Sequence, residues 1–188
     1  MATDDPFEGI LTFVEEAGIA YMLVGSYASS YYGPARATQD YDIVISSTEA
    51  QVRDFVGRLP NDRYYVNLNT ALDALARNSM FNVLDLRSGW RFDFIFCRSR
   101  PFSQSEFSRR TRQEVQGVST YIASAEDVII SKLEWAHRSG SQRQLEDVVR
   151  ILQTRWVQLD QEYLAKWIAD LRLTSEWSDA RKLAGIIQ

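Results

Sequence analysis

Strand-like and helix-like patterns are segregated along this sequence, and their order limits the possible folds more than any other feature. Apolar runs that suit strands all fall before residue 124, at 20–24, 40–45, 81–87, 90–96 and 118–122. Helical periodicity fills the last third, near 124–137, 142–155, 160–172 and 175–187. This order predicts an α+β fold, in which a two-layer α/β domain with a mixed sheet and flanking helices (1–123) precedes a helical region (124–188) packed on it.

Capping signals predict where several helices begin. Asp5 suits the N-cap of a helix over 6–17, and Pro6 suits its first residue. Thr48, or Ser47 before it, suits the cap of a helix that runs to about residue 59. Ser124 begins a sequence typical of a capping box. Further short helices are predicted from after Gly25-Ser26 to about residue 32, near 70–77 and around 103–110.

The composition excludes several classes of protein. The chain has 188 residues, of which 45% are apolar, so it can build a packed core. A single histidine and a single cysteine exclude an internal disulfide and a zinc site of three or four Cys or His ligands. The net charge of −4 provides no general attraction for nucleic acid or anionic membrane. The acidic start, Met1–Asp5, is unlike a signal peptide, and no run suits a membrane helix, so we expect a cytoplasmic protein with no membrane partner.

Two aspartates stand at the start of the otherwise apolar run 40–45. Successive side chains of a strand point to opposite faces, so Asp40 and Asp42 share a face, about 6–7 Å apart. Tyr41 and Ile43 point the other way, into a core. Paired carboxylates of this kind suit hard cations such as Mg²⁺. We therefore expect a divalent metal site on this strand.

Asp93 is the predicted third carboxylate. It lies in a strand-like run with Phe92, Phe94 and Phe96 on the opposite face. A charge inside such a strand is costly unless it is paired or bound to a metal.

Asp85 competes with Asp93 for this role, and the intervening turn decides between them. Ser88-Gly89 predicts a two-residue hairpin turn, which sets Asp85 opposite Phe92. Cross-strand partners lie on the same face, so Asp85 then points away from Asp93. We choose Asp93 because its neighbours are the more strongly apolar.

A Gly-Ser pair lies between the first strand and a short helix. Gly25 allows a phosphate to approach the backbone closely, and the Ser26 hydroxyl and the N–H groups of a helix start can bind phosphate oxygens. Taken alone, the pair is more simply a strand-to-helix turn. The order of the motifs gives it meaning: apolar strand, Gly-Ser, short helix, Asp-x-Asp strand, then a later strand with a lone aspartate.

With this order of motifs, the sequence resembles the nucleotidyltransferase superfamily with the DNA polymerase β-like fold. The resemblance is greatest to the minimal bacterial group that includes AbiEii toxins, and it covers roughly residues 20–152. The matching residues are Gly25-Ser26-Tyr27-Ala28, Gly33, Arg36, Thr38, Asp40 and Asp42. Similar proteins also carry a helical lysine and a downstream aspartate, which the segments around Lys132 and Asp147 resemble.

The resemblance implies transfer of a nucleoside monophosphate from a nucleoside triphosphate to a hydroxyl of an RNA, a protein or a small molecule. It implies that Asp40, Asp42 and Asp93 are catalytic and hold two Mg²⁺ ions, or Mn²⁺, with Asp93 as the proton acceptor. The nucleotide-binding residues that it implies are Gly25, Ser26, Arg36, Thr38, Lys132 and Asp147. It also implies a toxin role with an antitoxin protein as partner.

Two of these basic residues also have a structural interpretation. Arg36 suits a pair with Asp40 or Asp42 when no metal is bound. Lys132 lies on a helix where, without the resemblance, a surface lysine is the default.

Three further residues have structural interpretations as well. Asp147 suits ion pairs with Arg143 or Arg150 on one helix. His137 has no plausible nucleophile partner, and Cys97 suits a small buried filler.

A local arginine patch departs from the acidic average of the chain. Residues 98–112 contain one acid, Glu106, and five arginines: Arg98, Arg100, Arg109, Arg110 and Arg112. Arginine is the residue best shaped for bidentate phosphate contact, so this patch is a candidate grip for an RNA backbone such as a tRNA end. The alternative is a solvated loop and helix with internal charge pairing.

Two rival functions stay open. A nucleotidyltransferase-like binding or regulatory module without activity would be free to lose the three carboxylates, which this chain keeps. An antibiotic-modifying nucleotidyltransferase should carry an acidic acceptor pocket to suit aminoglycosides, and the arginine patch argues against it.

Overall fold

The computed structural model of the chain describes residues 5–186, and these residues form a seven-stranded sheet with helices. The strands are β1 (Ala20–Leu23), β2 (Asp40–Ser46), β3 (Tyr64–Tyr65), β4 (Met80–Asp85), β5 (Arg91–Phe96), β6 (Thr111–Val115) and β7 (Val118–Ile122). The helices are α1 (Pro6–Glu16), α2 (Gly25–Tyr32), α3 (Glu49–Arg58), α4 (Leu68–Ala76), α5 (Pro101–Ser108), α6 (Ala125–Ser139), α7 (Gln142–Arg155), α8 (Gln161–Asp170) and α9 (Thr174–Leu183). A short 3₁₀ helix, Trp156–Gln158, follows α7.

The sheet is mixed, with the strand order β3-β4-β5-β2-β1-β7-β6. β2 and β5 run parallel, as do β1 and β7, and the other neighbours are antiparallel. Helices fill the chain after β7. The fold class predicted from the sequence is therefore confirmed.

One face of the sheet is packed with aromatic side chains. Phe94 of β5 stacks on Phe81 of β4, and the Phe55 ring of α3 packs against it with centroids 5.1 Å apart. Phe7 of α1 stacks on Tyr41 of β2 at 4.4 Å. Burying a large apolar side chain is worth about 1.5–3 kcal/mol, so this layer fixes β2 and β5 side by side. Their other face is left for polar residues.

By its internal contacts the chain divides into two compact units. The first unit, residues 1–24 and 38–122, contains the sheet with α1, α3, α4 and α5. The second unit, residues 25–37 and 123–188, contains α2 and α6 to α9. The division at 123/124 into two contiguous domains stays a prediction, because the contacts group residues 25–37 with the later helices.

The predicted caps are confirmed at three helix starts. Asp5 accepts hydrogen bonds from the N–H groups of Phe7 and Glu8, Thr48 forms a capping box, and the Ser124 hydroxyl accepts one from the third helical residue. Such caps are each worth about 1 kcal/mol. The predicted end of the last helix at residue 187 and the segment Met1–Asp4 lie outside the described residues. No helix among residues 5–186 combines the length and the apolar character needed to cross a bilayer.

Two strands were not predicted. β3 has only two residues, too few for an alternating pattern. β6 has the polar sequence Thr-Arg-Gln-Glu-Val within the segment predicted to be loop and helix, and it forms the edge of the sheet beside β7. Charged side chains on an edge strand discourage pairing with another chain, which explains why this strand lacks an apolar signature.

The predicted two-residue turn at Ser88-Gly89 is wrong. Val83, and not Asp85, is the register partner of Phe92. The Asp85 carboxylate stabilises a wider turn, because it accepts hydrogen bonds from the backbone N–H groups two and three residues later, at 2.9 and 3.4 Å. A shift of two residues keeps every side chain on its face, so Asp85 still points away from Asp93.

Candidate active site

The three predicted metal ligands lie on adjacent strands of the first unit and on one face of the sheet. Asp42 of β2 and Asp93 of β5 are register partners, and Asp40 is the register partner of Arg91. Neighbouring strands lie about 4.8 Å apart, and successive side chains on one face of a strand are two residues apart, so the structure brings these three carboxylates together. We call Asp40, Asp42, Asp93 and Arg91 the carboxylate face.

Arg91 belongs to this face and was missed in the sequence. One of its terminal nitrogens lies 2.8 Å from Asp40 Oδ2, and its Nε lies 3.0 Å from Asp93 Oδ1. The signal was present, because Arg91 precedes Asp93 by two residues and strand alternation places both on one face. Within residues 5–186, no group of three or more His, Cys, Asp or Glu side chains is arranged to hold a metal ion. The guanidinium of Arg91 bridges two of the three carboxylates instead.

Asp93 is the most buried member of the carboxylate face. Its burial raises the pKa of its carboxyl group, and the positive charge of Arg91 opposes that shift. Its Oδ1 is buried and accepts no hydrogen bond from the described residues, although the charge of Arg91 is close. A buried oxygen without a directed donor is unusual and calls for a chemical explanation.

Thr38 lies two residues before Asp40 in the first unit. Its hydroxyl donates a hydrogen bond to Asp40 Oδ1. This contact orients the first carboxylate, so the structure places Thr38 beside a predicted metal ligand; its predicted nucleotide contact stays a proposal.

The second unit contains a buried ionic cluster around Asp147 of α7. Lys132 Nζ of α6 donates hydrogen bonds to Asp147 Oδ2 at 2.7 Å and to Gln144 Oε1 at 3.0 Å. Arg36 Nε donates to both carboxylate oxygens of Asp147, at 3.1 and 3.3 Å, and another Arg36 nitrogen donates to the Ser26 hydroxyl. We call these five residues the Asp147 cluster. It unites four predicted nucleotide-binding residues with Gln144, which was not predicted.

Two glycines shape the segment that carries Ser26 and Arg36. Gly25 has a φ of 65°, a conformation that strains residues with a Cβ. A Cβ on Gly33 would lie 3.3 Å from backbone atoms of Arg150 and Ile151. The end of α2 therefore lies directly against the backbone of α7, which allows Arg36 to reach Asp147.

The surroundings of Lys132, Asp147 and His137 decide between their structural and functional interpretations. Lys132 is only 4% exposed, so the surface interpretation is wrong. Asp147 does pair with Arg150, but at 3.9 Å, farther than its contacts with Lys132 and Arg36. His137 lies with Nδ1 2.8 Å from the Glu176 carboxylate, a contact between helices α6 and α9.

Cys97 is half-buried at the end of β5, so the interpretation as a buried filler is only partly met. Burial raises the pKa of its thiol. A thiol held in its neutral form is a poor nucleophile.

Three arginines of the 98–112 patch contact their own unit. Arg100 Nε donates to Ser103 Oγ at 2.8 Å, and Arg110 donates to the Phe107 carbonyl at 2.6 Å. Arg112 Nε donates to Ser119 Oγ at 2.9 Å. These contacts favour the structural interpretation of the patch.

The comparisons with known proteins concern the fold. No protein-family model matches the sequence, and no curated protein matches it. An antigenic nucleotidyltransferase-like protein from Paracoccidioides brasiliensis has a similar structure, with 15% identity over 94% of this chain and 90% of that chain and a TM-score of 0.57. ANT(2'')-Ia in complex with adenylyl-2''-tobramycin has 13% identity over 87% and 92%, with a TM-score of 0.55. The lincosamide antibiotic adenylyltransferase LnuA, with lincomycin bound, has 12% identity over 80% and 96%, with a TM-score of 0.52.

These likenesses show that the chain has the nucleotidyltransferase fold. The fold that the sequence resemblance implied is thereby confirmed. At such low identity the likeness establishes the fold and not the activity. None of these three structures is an AbiEii-type toxin, so that finer resemblance stays a proposal.

Proposed function

We propose that the chain is a metal-dependent nucleotidyltransferase, which moves a nucleoside monophosphate from a nucleoside triphosphate to an acceptor hydroxyl. The observation that carries the proposal is the register of Asp42 with Asp93 on one polar face, with Asp40 beside them. That the chain has the nucleotidyltransferase fold supports it.

The donor set of the carboxylate face fits a hard divalent cation. Carboxylate oxygens are the ligands that Mg²⁺ and Mn²⁺ prefer, and the buried Oδ1 of Asp93 has no hydrogen bond to lose within the described chain. Asp40, Asp42 and Asp93 are the residues that would hold the ions. When bound, such ions would stabilise the charge on the attacking and leaving oxygens.

The residues of the first unit have separate roles in this proposal. Asp93 takes the proton of the acceptor hydroxyl, and burial raises the pKa of its carboxyl group, which makes it the stronger base. Thr38 orients Asp40 through its hydroxyl. Asp42, directly beside Asp93 in register, completes the set.

For the second unit we propose a role in phosphate binding. Arg36, Lys132 and Arg150 all lie within ion-pair distance of the Asp147 carboxylate, so three cations converge on this acid. Charged donors of this kind bind phosphate oxygens strongly. The backbone of Gly25 and the Ser26 hydroxyl are the neutral contacts in this proposal.

The acceptor is assigned by class only. An RNA end, a protein side chain and a small molecule all offer the hydroxyl that the reaction needs. The internal contacts of Arg100, Arg110 and Arg112 weaken the support for an RNA grip at the arginine patch. A toxin role with an antitoxin partner rests on the sequence resemblance.

The test is incubation of the protein with each of four α-labelled triphosphates, Mg²⁺ and separated RNA, protein and small-molecule fractions of a bacterial lysate. We expect label to move into one fraction with the wild type and not with Asp42→Asn. The matched control is Asp73→Asn, which alters an exposed surface ion pair of α4. Triphosphate binding without transfer in any fraction would favour the inactive module, and equal transfer by wild type and Asp42→Asn would exclude the proposed site.

Toxicity has its own test. If the transfer harms the host, expression of the wild type in bacteria should arrest growth, whereas Asp42→Asn should not. Growth arrest by both proteins would separate toxicity from the proposed chemistry.

A further inference from the structure

Arg91 stands where a cation belongs on the carboxylate face. Its guanidinium contacts Asp40 at 2.8 Å on β2 and Asp93 at 3.0 Å on β5. Asp42 lies beside Asp93 in the same register, and the guanidinium bridges the other two carboxylates of the face. Arg91 is the one cation among the four residues that define the face.

Arg91 differs from an ordinary surface arginine of the same hairpin. Arg87 pairs with Asp62 at 2.8 Å, but both side chains are mostly exposed, and such pairs contribute little. Of the two carboxylates that Arg91 contacts, the Asp93 side chain is only 9% exposed. A buried carboxylate next to two others is costly without a nearby cation, so Arg91 has an electrostatic role that Arg87 lacks.

The charged groups of Arg91 and Asp93 lie close together, but they are poorly aligned for a hydrogen bond to Asp93 Oδ1. Asp93 Oδ1 lies 3.0 Å from Arg91 Nε, yet this oxygen accepts no hydrogen bond from any described residue. Arg91 thus brings positive charge close to Asp93 Oδ1 without a well-aligned hydrogen bond to that oxygen. Its own side chain is 50% exposed, which leaves it room to move away.

We propose that Arg91 is the internal counter-cation of the carboxylate face and competes with a divalent metal for Asp40 and Asp93. The inference rests on the proposed function, because it takes these carboxylates as the metal ligands. A metal that displaces the guanidinium leaves it half-exposed beside the face, where a phosphate is the complementary partner. The metal should therefore bind weakly alone and more tightly together with a triphosphate, which satisfies the released Arg91.

The first experiment measures Mn²⁺ affinity without nucleotide, by electron paramagnetic resonance of free Mn²⁺, for wild type, Arg91→Gln and Arg87→Gln. Removing one positive charge a few ångströms from the site should tighten Mn²⁺ binding by about tenfold in Arg91→Gln. Arg87→Gln removes the same charge from the same hairpin and should leave the affinity unchanged. Equal or weaker binding by Arg91→Gln overturns the inference.

The second experiment repeats the titration with a non-hydrolysable α,β-methylene triphosphate, corrected for the Mn²⁺ that the analogue itself binds. The gain in Mn²⁺ affinity on adding the analogue should be larger for wild type than for Arg91→Gln. An equal gain in the two proteins overturns the exchange of Arg91 from carboxylate to phosphate.

Two further variants keep the outcomes distinguishable. Asp42→Asn should abolish Mn²⁺ binding in both backgrounds; if it does not, the metal site of the proposed function is wrong. Binding that depends on Asp42 but not on Arg91 overturns the inference alone. If circular dichroism shows that Arg91→Gln does not fold, Arg91→Lys replaces it. Because a lysine cannot bridge two carboxylates in the same way, Mn²⁺ should bind to Arg91→Lys more tightly than to wild type. Unchanged affinity overturns the inference.

Discussion

At the scale of single residues, charge is concentrated at two places, and each is balanced differently. On the carboxylate face Arg91 contacts two aspartates, whereas in the Asp147 cluster one aspartate accepts hydrogen bonds from two cations. The first arrangement groups carboxylates around one cation, and the second groups cations around one carboxylate. Metal ions and phosphate groups are the ligands that suit these two kinds of site.

Asp147→Asn tests how much the second arrangement stabilises the protein. Asparagine keeps the shape but leaves Lys132 and Arg36 without a negative partner in the cluster. Breaking a buried ion pair in this way should lower the free energy of unfolding by about 3 kcal/mol. Urea unfolding followed by circular dichroism measures it, and Glu49→Gln, which breaks an exposed pair on α3, should cost less than about 1 kcal/mol.

Strand alternation predicted the shared face of Asp40 and Asp42, since that depends only on the period of a strand. The predicted hairpin pairing was wrong by two residues, and a shift of two residues leaves each side chain on its original face. The prediction that Asp85 lies on the face opposite to Asp93 was therefore correct even though the predicted turn was wrong. The pairing of Arg36 with Asp147 could not be predicted from the sequence. It joins residues 111 positions apart and depends on how α2 packs against α7.

At the scale of elements, α2 depends on close contact with the later helices of its unit. Gly33→Ala should place a methyl group within 3.3 Å of the α7 backbone, which cannot move aside like a flexible side chain. We expect a loss of about 1–3 kcal/mol in unfolding free energy. Gly57→Ala in α3 is the matched control, because no described atom outside its own stretch of helix lies within 4 Å of its new methyl group. That variant should gain about 0.5–1 kcal/mol through helix propensity, and the same sign for both variants would refute the packing argument.

Tyr32 makes a second contact between α2 and the later part of the chain. Its hydroxyl donates to the Ala123 carbonyl at 2.8 Å, and burial raises the pKa of the phenol above its ordinary value of 10.0. The unfolded chain therefore loses this proton before the folded chain does. The stabilisation is complete below about pH 10 and is lost as the pH rises from there through the folded pKa.

Tyr32→Phe should cost about 1 kcal/mol at pH 7 through the lost hydrogen bond. The difference from wild type should shrink as the pH rises from about 10, because only the wild type carries the ionising phenol. Urea midpoints measured from pH 7 to 11 give this difference directly. A gap between the two proteins that stays constant over this range would show that the Tyr32 phenol does not titrate as proposed.

The elements themselves differ in how well their sequences reveal them. Helices with a capping residue and an apolar stripe, such as α1 and α3, were predicted within about two residues, because both signals are local. The edge strand β6 was missed because it exists only through its pairing with β7. Its polar side chains carry no period that an isolated segment would show.

At the scale of the whole molecule, the chain leaves its sheet after β1 and returns to it at β2. The intervening residues 25–37 belong to the second unit, although β1 and β2 are antiparallel neighbours that a short turn could join. A division of this kind cannot be predicted from contiguous patterns. It depends on which partner the buried side chains of α2, among them Tyr27 and Ala28, find far away in the sequence.

A pair of truncated chains tests this division. A chain of residues 1–123 keeps α2 but removes α6 and α7, so the buried face of α2 loses its partners within the unit. A second chain also ends at residue 123, but its residues 25–37 are replaced by a four-residue hairpin turn that contains Asn-Gly. This chain lacks the exposed face of α2. We expect the second chain to show less aggregation in size-exclusion chromatography and a more cooperative urea transition than the first. If the chain that retains α2 is equally monomeric and cooperative, then α2 does not need the later helices, and the grouping of residues 25–37 with them has no energetic meaning.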